Sequence, residues 1–141
     1  MEALGRHLLV ELYDCDKKII NDVKAVENIL TEATIKIGAT ILDVSFHTFN
    51  PHGVSGVVVI AESHLAIHTW PEYGFASIDI YTCGDTVDPW KGCDYIAKNL
   101  KAKHVSALEM KRGVLNLPGQ KIQHKPNLEP AIEKEMVGAK E

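Results

Sequence analysis

Three side chains that could do covalent chemistry fall within one stretch, "ESHLAIHTWPEYGFASIDIYTC", which runs from Glu62 to Cys83. Ser63 offers a hydroxyl, His68 an imidazole and Cys83 a thiol. A serine hydroxyl can attack the carbonyl that precedes it and turn that peptide bond into an ester, if the peptide is strained or firmly held and a base is near. Ser55 and His68 are the candidates to assist such an attack. Ser63 lacks the G-x-S-x-G surroundings of a hydrolase nucleophile, so hydrolysis by an activated serine is disfavoured.

Each of these residues also has an ordinary structural interpretation. A serine at a strand end commonly hydrogen-bonds the backbone, and a single cysteine is commonly a small buried residue. His64 and His68 share one face of an extended segment and could be structural, catalytic or metal-binding, although H-L-A-I-H lacks the glutamate of H-E-x-x-H. Phe49 and Trp70 lie at predicted turns, where an aromatic ring either caps the core or forms a wall for a flat ligand. The residues alone therefore leave two hypotheses, a covalent-catalysis enzyme and a module with a metal on His64, His68 and Cys83.

The elements that position these residues follow from hydrophobic periodicity. The predicted strands cover residues 6–14, 39–49, 54–61, 75–83 and 103–110, and the predicted helices cover 19–37 and 88–100. Asp14 or Asp16 is the expected N-cap of the first helix, and segment 64–69 is a candidate extension of the central hairpin. The order β-α-β-β-β-α-β predicts an α+β fold, a two-layer α/β sandwich with an antiparallel sheet and two helices on one face. The apolar run 57–60 favours dimerisation through the other sheet face.

Composition limits the class of function. The chain of 141 residues shows no compositional shift over its first ~115 residues, which predicts a single domain over 1–117 and a flexible tail over 118–141, with one short helix after Glu129. The net charge of -4 disfavours a nucleic-acid partner. No apolar run approaches about 18 residues and no signal peptide is recognisable, so we expect no membrane span and a cytoplasmic protein. The 3 cysteines lack CxxC spacing and are expected to be free thiols.

A family resemblance sharpens these expectations. The string "ESHLAIHTWPE", with "LGRHLLVELYDCD" upstream and "DPWK" downstream, closely resembles the S-adenosylmethionine decarboxylase proenzymes of bacteria and archaea. The resemblance covers roughly residues 4–112. It implies a β-α-β-β-α-β-like sandwich that forms a homodimer of αβ protomers, with two α and two β chains and active sites near the subunit interface.

The resemblance also implies that the Glu62–Ser63 bond cleaves itself. Ser63 would attack the Glu62 carbonyl, and the ester would break down to leave a pyruvoyl group at position 63. Residues 1–62 would become the β chain and residues 63–141 the α chain. The pyruvoyl cofactor would form a Schiff base with S-adenosylmethionine and accept the electrons left as CO₂ departs, because no ordinary side chain supplies an electrophilic carbonyl. The product would be the aminopropyl donor for spermidine biosynthesis.

Side-chain roles are implied in the same way. His68 matches the proton acceptor in processing, Ser55 a residue that assists it, and Cys83 the proton donor in decarboxylation. Phe49 matches an aromatic that stacks on adenine, with His68 near the opposite face. The further candidate substrate-binding residues are Trp70 and Glu72. Two alternatives stay open: a pyruvoyl-dependent L-arginine or L-ornithine decarboxylase of the same fold, and the non-catalytic metal-binding module.

Overall fold

The computed structural model describes residues 2–116 and 118–119. These residues form six strands, two α-helices and two short 3-10 turns. The strands are β1 (Glu2–Tyr13), β2 (Ile41–Thr48), β3 (Val54–Ile60), β4 (Ser63–Trp70), β5 (Phe75–Cys83) and β6 (His104–Leu115). The helices are α1 (Val23–Lys36) and α2 (Pro89–Asn99), and the 3-10 turns are Ile19–Asn21 and Pro71–Tyr73.

The strands form one antiparallel sheet in the order β2-β3-β4-β5-β1-β6. Helix α1 packs against β2 and β3, helix α2 packs against β1 and β5, and the two helices contact each other. In the inner strands β1, β3, β4 and β5, alternate residues are buried against the helices, which is the period of two that one covered face requires. The core includes Leu8, Val10, Leu12, Val26, Leu30, Leu65, Ile67, Ile78, Ile80 and Ile96. The predicted two-layer α+β sandwich is confirmed.

Segment 64–69 belongs to a full strand rather than to an extension of a hairpin. Strand β4 pairs with β3 on one side and with β5 on the other, so the prediction was one strand short. The buried residues Leu65 and Ile67 do alternate along it. The residues between and beside them include His64 and His68, and this polar face weakened the strand pattern.

Helix α1 begins later than the sequence predicted. Its N-cap is Asp22, whose carboxylate accepts hydrogen bonds from two backbone N–H groups of the first turn, at 3.1 and 3.2 Å. The prediction of Asp14 or Asp16 as its cap was wrong, because the Asp16 carboxylate is used by the 3-10 turn that precedes the helix. Gly38 follows the end of α1 with a φ of 85°, and Asp88 caps α2, where its carboxylate accepts a hydrogen bond from the Trp90 N–H.

A three-residue cluster attaches the edge strand β6 to the rest of the sheet. The guanidinium of Arg6 donates two hydrogen bonds to the Glu109 carboxylate, at 2.9 and 3.0 Å, and the Trp90 indole N–H donates a third at 2.7 Å. The hydrogen bonds from Arg6 and then Trp90 lower the pKa of Glu109 from 4.5 to about 2. The cluster joins β1, α2 and β6, and β6 continues to Leu115, beyond its predicted end.

The sheet face opposite the helices is open in the single chain. Leu9 on β1 and Leu108 on β6 are 42% and 64% exposed, although both lie within strands. Val59 is also exposed, in the run where the sequence predicted two covered faces. An apolar face of this kind is typical of an interaction surface. Dimerisation through this face stays a prediction at this point.

The helices in the described part of the chain are all too short or too polar to cross a membrane. The predicted cytoplasmic location stays a prediction. The predicted tail, 118–141, lies outside the described residues except for 118–119, and so does the short helix predicted after Glu129.

Candidate active site

The tight turn between β3 and β4 contains the predicted cleavage site. Ile60 pairs with Ser63 across the hairpin, which leaves Ala61 and Glu62 as the turn. Glu62 has a φ of 69°, in the left-handed region, and such a conformation costs a residue with a β-carbon about 1–2 kcal/mol. The peptide bond that follows this strained residue is the Glu62–Ser63 bond. The local strain that the proposed acyl shift requires therefore has a candidate source at the right peptide.

The nucleophile, the carbonyl and the thiol meet at this turn. The Ser63 hydroxyl donates a hydrogen bond to the Glu62 carbonyl oxygen. The Sγ atom of Cys83, at the end of β5, lies 3.4 Å from Oγ of Ser63 and 3.4 Å from the same carbonyl oxygen. All three groups are partly buried. We call Glu62, Ser63 and Cys83 the cleavage cluster.

The other two predicted processing residues lie together at the far end of the same hairpin. Ser55 pairs with His68 in the β3–β4 register, and Oγ of Ser55 is 2.8 Å from Nδ1 of His68. His68 is five residues along β4 from Ser63, which at about 3.3 Å per residue places their Cα atoms about 17 Å apart. Within one chain, the structure therefore does not bring His68 to the Glu62–Ser63 bond.

A cavity of about 320 Å³ adjoins the Ser55–His68 pair. Its lining consists of Phe49, His52, Gly53, Ser55, His68, Thr69, Trp70 and Glu72. All the predicted substrate-binding residues are in this set, and the Phe49 ring is 55% exposed, so it forms a wall of the cavity rather than a cap on the core. Nε2 of His52 is 3.2 Å from Oε1 of Glu72. We call this lining the aromatic cavity.

A buried hydrogen-bond network fixes the backbone behind the aromatic cavity. The Thr69 hydroxyl donates to the Ile20 carbonyl at 2.7 Å and accepts from the Val54 N–H at 2.9 Å. The Asn21 side-chain oxygen accepts from the Gly53 N–H at 2.9 Å. None of these residues is among those predicted from the sequence. Thr69 lies inside the "HTWPE" string, but only the fold shows that its hydroxyl joins β4 to the 3-10 turn at residues 19–21.

A cluster of polar side chains lies on the open sheet face between the two sites. His7, His64 and Asp79 each place one potential metal-ligand atom within 4.8 Å of the other two. Among the described residues, this is the set of three side chains close enough to hold a metal ion. Arg112 donates to Nδ1 of His7 at 2.9 Å, and arginine can only donate, so the His7 proton is on Nε2, facing Asp79 at 3.7 Å. Nε2 is therefore a donor rather than a free ligand. His64 belongs to this cluster and does not meet His68, so the set His64, His68 and Cys83 does not form a metal site within one chain.

Burial separates the three cysteine thiols into two kinds. Burial raises the pKa of Cys15 and of Cys93 to about 11, with smaller contributions from the neighbouring Asp14 and Asp94. Both side chains are buried, whereas Cys83 is partly exposed at the cleavage cluster. Burial lowers the pKa of His7, although Asp79 opposes this shift. Among the three thiols, the one accessible to a reactant is therefore that of Cys83.

A comparison with protein families matches residues 6–113 to the S-adenosylmethionine decarboxylase model. The chain belongs to the S-adenosylmethionine decarboxylase family. The matched segment contains both the cleavage cluster and the aromatic cavity. This assignment agrees with the resemblance carried by the "ESHLAIHTWPE" string.

The chain aligns with relatives of high sequence identity over nearly the whole length of those relatives. The chain is 58% identical over 118 residues to the S-adenosylmethionine decarboxylase proenzyme of Caldanaerobacter subterraneus subsp. tengcongensis, covering 84% of this chain and 95% of that protein. It is 58% identical over 115 residues to the proenzyme of the same name from Carboxydothermus hydrogenoformans, covering 82% and 91% of the two chains. The crystal structure of the adenosylmethionine decarboxylase from Aquifex aeolicus superposes with a TM-score of 0.79 at 35% identity, over 87% of this chain and 100% of that one. Fold and family therefore agree.

Proposed function

We propose that the protein is a self-processing, pyruvoyl-dependent S-adenosylmethionine decarboxylase. The observation that carries this proposal is the cleavage cluster, in which a serine hydroxyl contacts the carbonyl of the strained residue before it, with a thiol 3.4 Å from both oxygens. Relatives named as proenzymes of this decarboxylase support it. Family membership also favours this activity over a decarboxylase of arginine or ornithine and over a metal-binding module.

Processing begins with Ser63. Its Oγ adds to the Glu62 carbonyl carbon, the C–N bond breaks, and the chain is then joined through an ester. Elimination at residue 63 releases Glu62 as a carboxylate and leaves a dehydroalanine, which takes up one water and loses ammonia to become the pyruvoyl group. The positive φ of Glu62 favours the cut, because the left-handed turn is no longer imposed once the bond is broken.

The residues around position 63 suit the group that would form there. A pyruvoyl ketone formed at this site would supply an electrophilic carbonyl for the substrate amine and a sink for the electrons released with CO₂. Cys83 is already in contact with the Ser63 side chain, so its thiol lies where the substrate α-carbon would be held. A partly buried thiol can give its proton to that carbon while water is kept away, and solvent can return the proton afterwards.

The proposed base for processing lies too far away in the same chain. A hydrogen-bonded base must approach its proton to about 3 Å, whereas His68 and Ser63 lie about 17 Å apart along β4. A second copy of the chain, laid on the open sheet face about a two-fold axis, can bring His68 of one subunit to Ser63 of the other. We therefore propose a homodimer of αβ protomers in which each active site combines the cleavage cluster of one subunit with the aromatic cavity of its partner.

The aromatic cavity suits a nucleoside rather than a simple amino acid. Exposed rings of Phe49 and Trp70 offer faces for a purine, and they also attract a positively charged sulfonium. The Glu72 carboxylate can accept hydrogen bonds from sugar hydroxyls. Arginine and ornithine lack both the ring and the hydroxyls, so this cavity favours S-adenosylmethionine.

Two measurements test the proposed function. The intact mass of purified protein should show two chains, split between Glu62 and position 63, with the second chain carrying a pyruvoyl group in place of an amino group. A Ser63→Ala variant should stay in one piece. CO₂ release is then compared on S-adenosylmethionine, L-arginine and L-ornithine. One unbroken wild-type chain would contradict the processing, and faster release from either amino acid would contradict the substrate.

A further inference from the structure

Strand β1 has a glycine opposite Cys83, at a position where neighbouring atoms leave no room for a side chain. Gly5 on β1 pairs with Cys83 on β5. Its backbone is ordinary extended strand, which any residue can adopt, so the reason for glycine is not conformational. A β-carbon placed on Gly5 would lie 3.1 Å from Sγ of Cys83, 3.0 Å from the Thr82 carbonyl oxygen and 2.6 Å from Cε1 of Tyr81. All three distances are shorter than comfortable non-bonded contact, which is about 3.5–4.0 Å between carbon atoms.

The groups around Gly5 have little room to move away. The Tyr81 ring stacks on His7 with centroids 5.2 Å apart, and the Arg112 guanidinium lies 5.2 Å from the centre of the same ring. The His64 ring meets its edge at 5.7 Å. The Thr82 carbonyl is part of the β-sheet backbone. The Tyr81 ring and the Cys83 side chain, at the end of its strand, are therefore the groups that an added β-carbon would displace.

We propose that Gly5 is a positioning residue for the Cys83 thiol. Because Gly5 has no side chain, the thiol packs directly on the β1 backbone and keeps Sγ 3.4 Å from the side chain of residue 63. This proposal rests on the proposed decarboxylase function and assigns Gly5 to its protonation step. An added methyl group would push the thiol away from the place where its proton is delivered.

The first test is Gly5→Ala, assayed after processing. Intact mass should show normal cleavage, because the proposed processing uses the Ser63 hydroxyl and the Glu62 carbonyl and not the thiol. The KM for S-adenosylmethionine should stay near the wild-type value, since the groups nearest to an added β-carbon do not line the aromatic cavity. The kcat should fall about three- to tenfold, because Sγ has to retreat by a few tenths of an ångström and a misplacement of a full ~1 Å can cost about a hundredfold. The matched control is Gly92→Ala, whose β-carbon would meet Ile37 at 3.1 Å on the helix side. It should leave kcat unchanged.

A double-mutant cycle separates positioning from general damage. In a Cys83→Ala background, adding Gly5→Ala should cost no further kcat, because the thiol that Gly5 positions is gone. An equal loss in both backgrounds would overturn the proposal, as would an unchanged kcat in Gly5→Ala alone. If Gly5→Ala does not fold, the pair Gly5→Ala with Tyr81→Leu removes the ring contact and keeps the thiol contact. A kcat for that pair equal to that of Tyr81→Leu would equally overturn it.

Thiol alkylation distinguishes a failure of this inference from a failure of the proposed function. Cys15 and Cys93 are buried, so iodoacetamide should modify Cys83 first in the native protein. Displacing the thiol from its contacts at the cleavage cluster should make this reaction faster in Gly5→Ala than in wild type. If wild type releases no CO₂ from S-adenosylmethionine, the proposed function fails, and the alkylation rates still decide the position of the thiol. Equal rates in the two proteins would overturn the role of Gly5.

Discussion

Subunit mixing tests whether His68 acts across a dimer interface. Two inactive variants are needed: Ser63→Ala, which lacks the nucleophile but keeps the histidine, and His68→Ala, which lacks the base but keeps the nucleophile. The separation of about 17 Å along β4 means that His68 cannot serve Ser63 of its own chain without a large rearrangement. In the proposed dimer, however, a mixed pair would bring the intact Ser63 of one subunit to the intact His68 of the other.

The expected yield follows from random pairing of the two chains. With equal amounts of each variant, half of the His68→Ala chains pair with a Ser63→Ala partner, so about a quarter of all chains should be cut. If His68 serves its own chain, no combination is competent and nothing is cut. The cleaved fraction of all chains is thus about a quarter if His68 acts across the interface and near zero if it acts within its own chain, so the experiment separates the two hypotheses clearly.

The assay is intact mass after co-expression, since chains that fold together can pair freely. Each variant expressed alone is the control and should remain essentially uncut. A size measurement on the same sample should give the mass of two αβ protomers. Absence of cleavage in a sample that contains mixed dimers would refute the shared site, and so would efficient cleavage of His68→Ala on its own.

Three further outcomes are expected. Glu109→Gln should lower the free energy of unfolding at neutral pH by about 1–2 kcal/mol, less than the full pKa shift implies because Arg6 is partly exposed to solvent. Since the folded pKa of Glu109 is about 2 against an ordinary 4.5, the wild-type advantage should be present above pH 4.5 and disappear as the pH falls towards 2, as urea titrations at several pH values would show. Thr69→Val should cost about 1–3 kcal/mol in urea unfolding because two buried backbone groups lose their partner, and Thr69→Ser, which keeps the hydroxyl, should cost less. Cys83→Ser should still be cut, by intact mass, and should lose about a hundredfold in CO₂ release, so equal activity would exclude Cys83 as the proton donor.

The sequence predicted the fold class because periodicity reports which face of each element is buried. Strands with one apolar face were placed correctly, whereas β4 was missed as a strand of its own because His64 and His68 occupy its open face. Helix α1 was started too early because three aspartates precede it, and only the fold shows that Asp22 is the one at its N-terminus. The local sequence pattern thus predicts that a helix is present, but it does not predict which of several nearby aspartates becomes the N-cap.

The candidate site was predictable as a set of residues but not as an arrangement. Ser55, Ser63, His68 and Cys83 lie in adjacent strands, and proximity in sequence suggested one cluster. The β3–β4 register instead places Ser55 with His68 at one end of the hairpin and Ser63 with Cys83 at the other. The positive φ of the Glu62 turn could not be predicted either, because glutamate has no preference for it.

The sheet order explains how the fold can tolerate a cut in its central hairpin. After cleavage, the first chain would hold β1, α1, β2 and β3, and the second would hold β4, β5, α2 and β6. Because the order is β2-β3-β4-β5-β1-β6, strand β1 of the first chain lies between two strands of the second. Separating the chains would break three strand ladders and divide the core shared by the two helices. The broken bond closes only a two-residue turn, so the backbone strain at Glu62 can be released while the pairing that positions Cys83 and His68 stays in place.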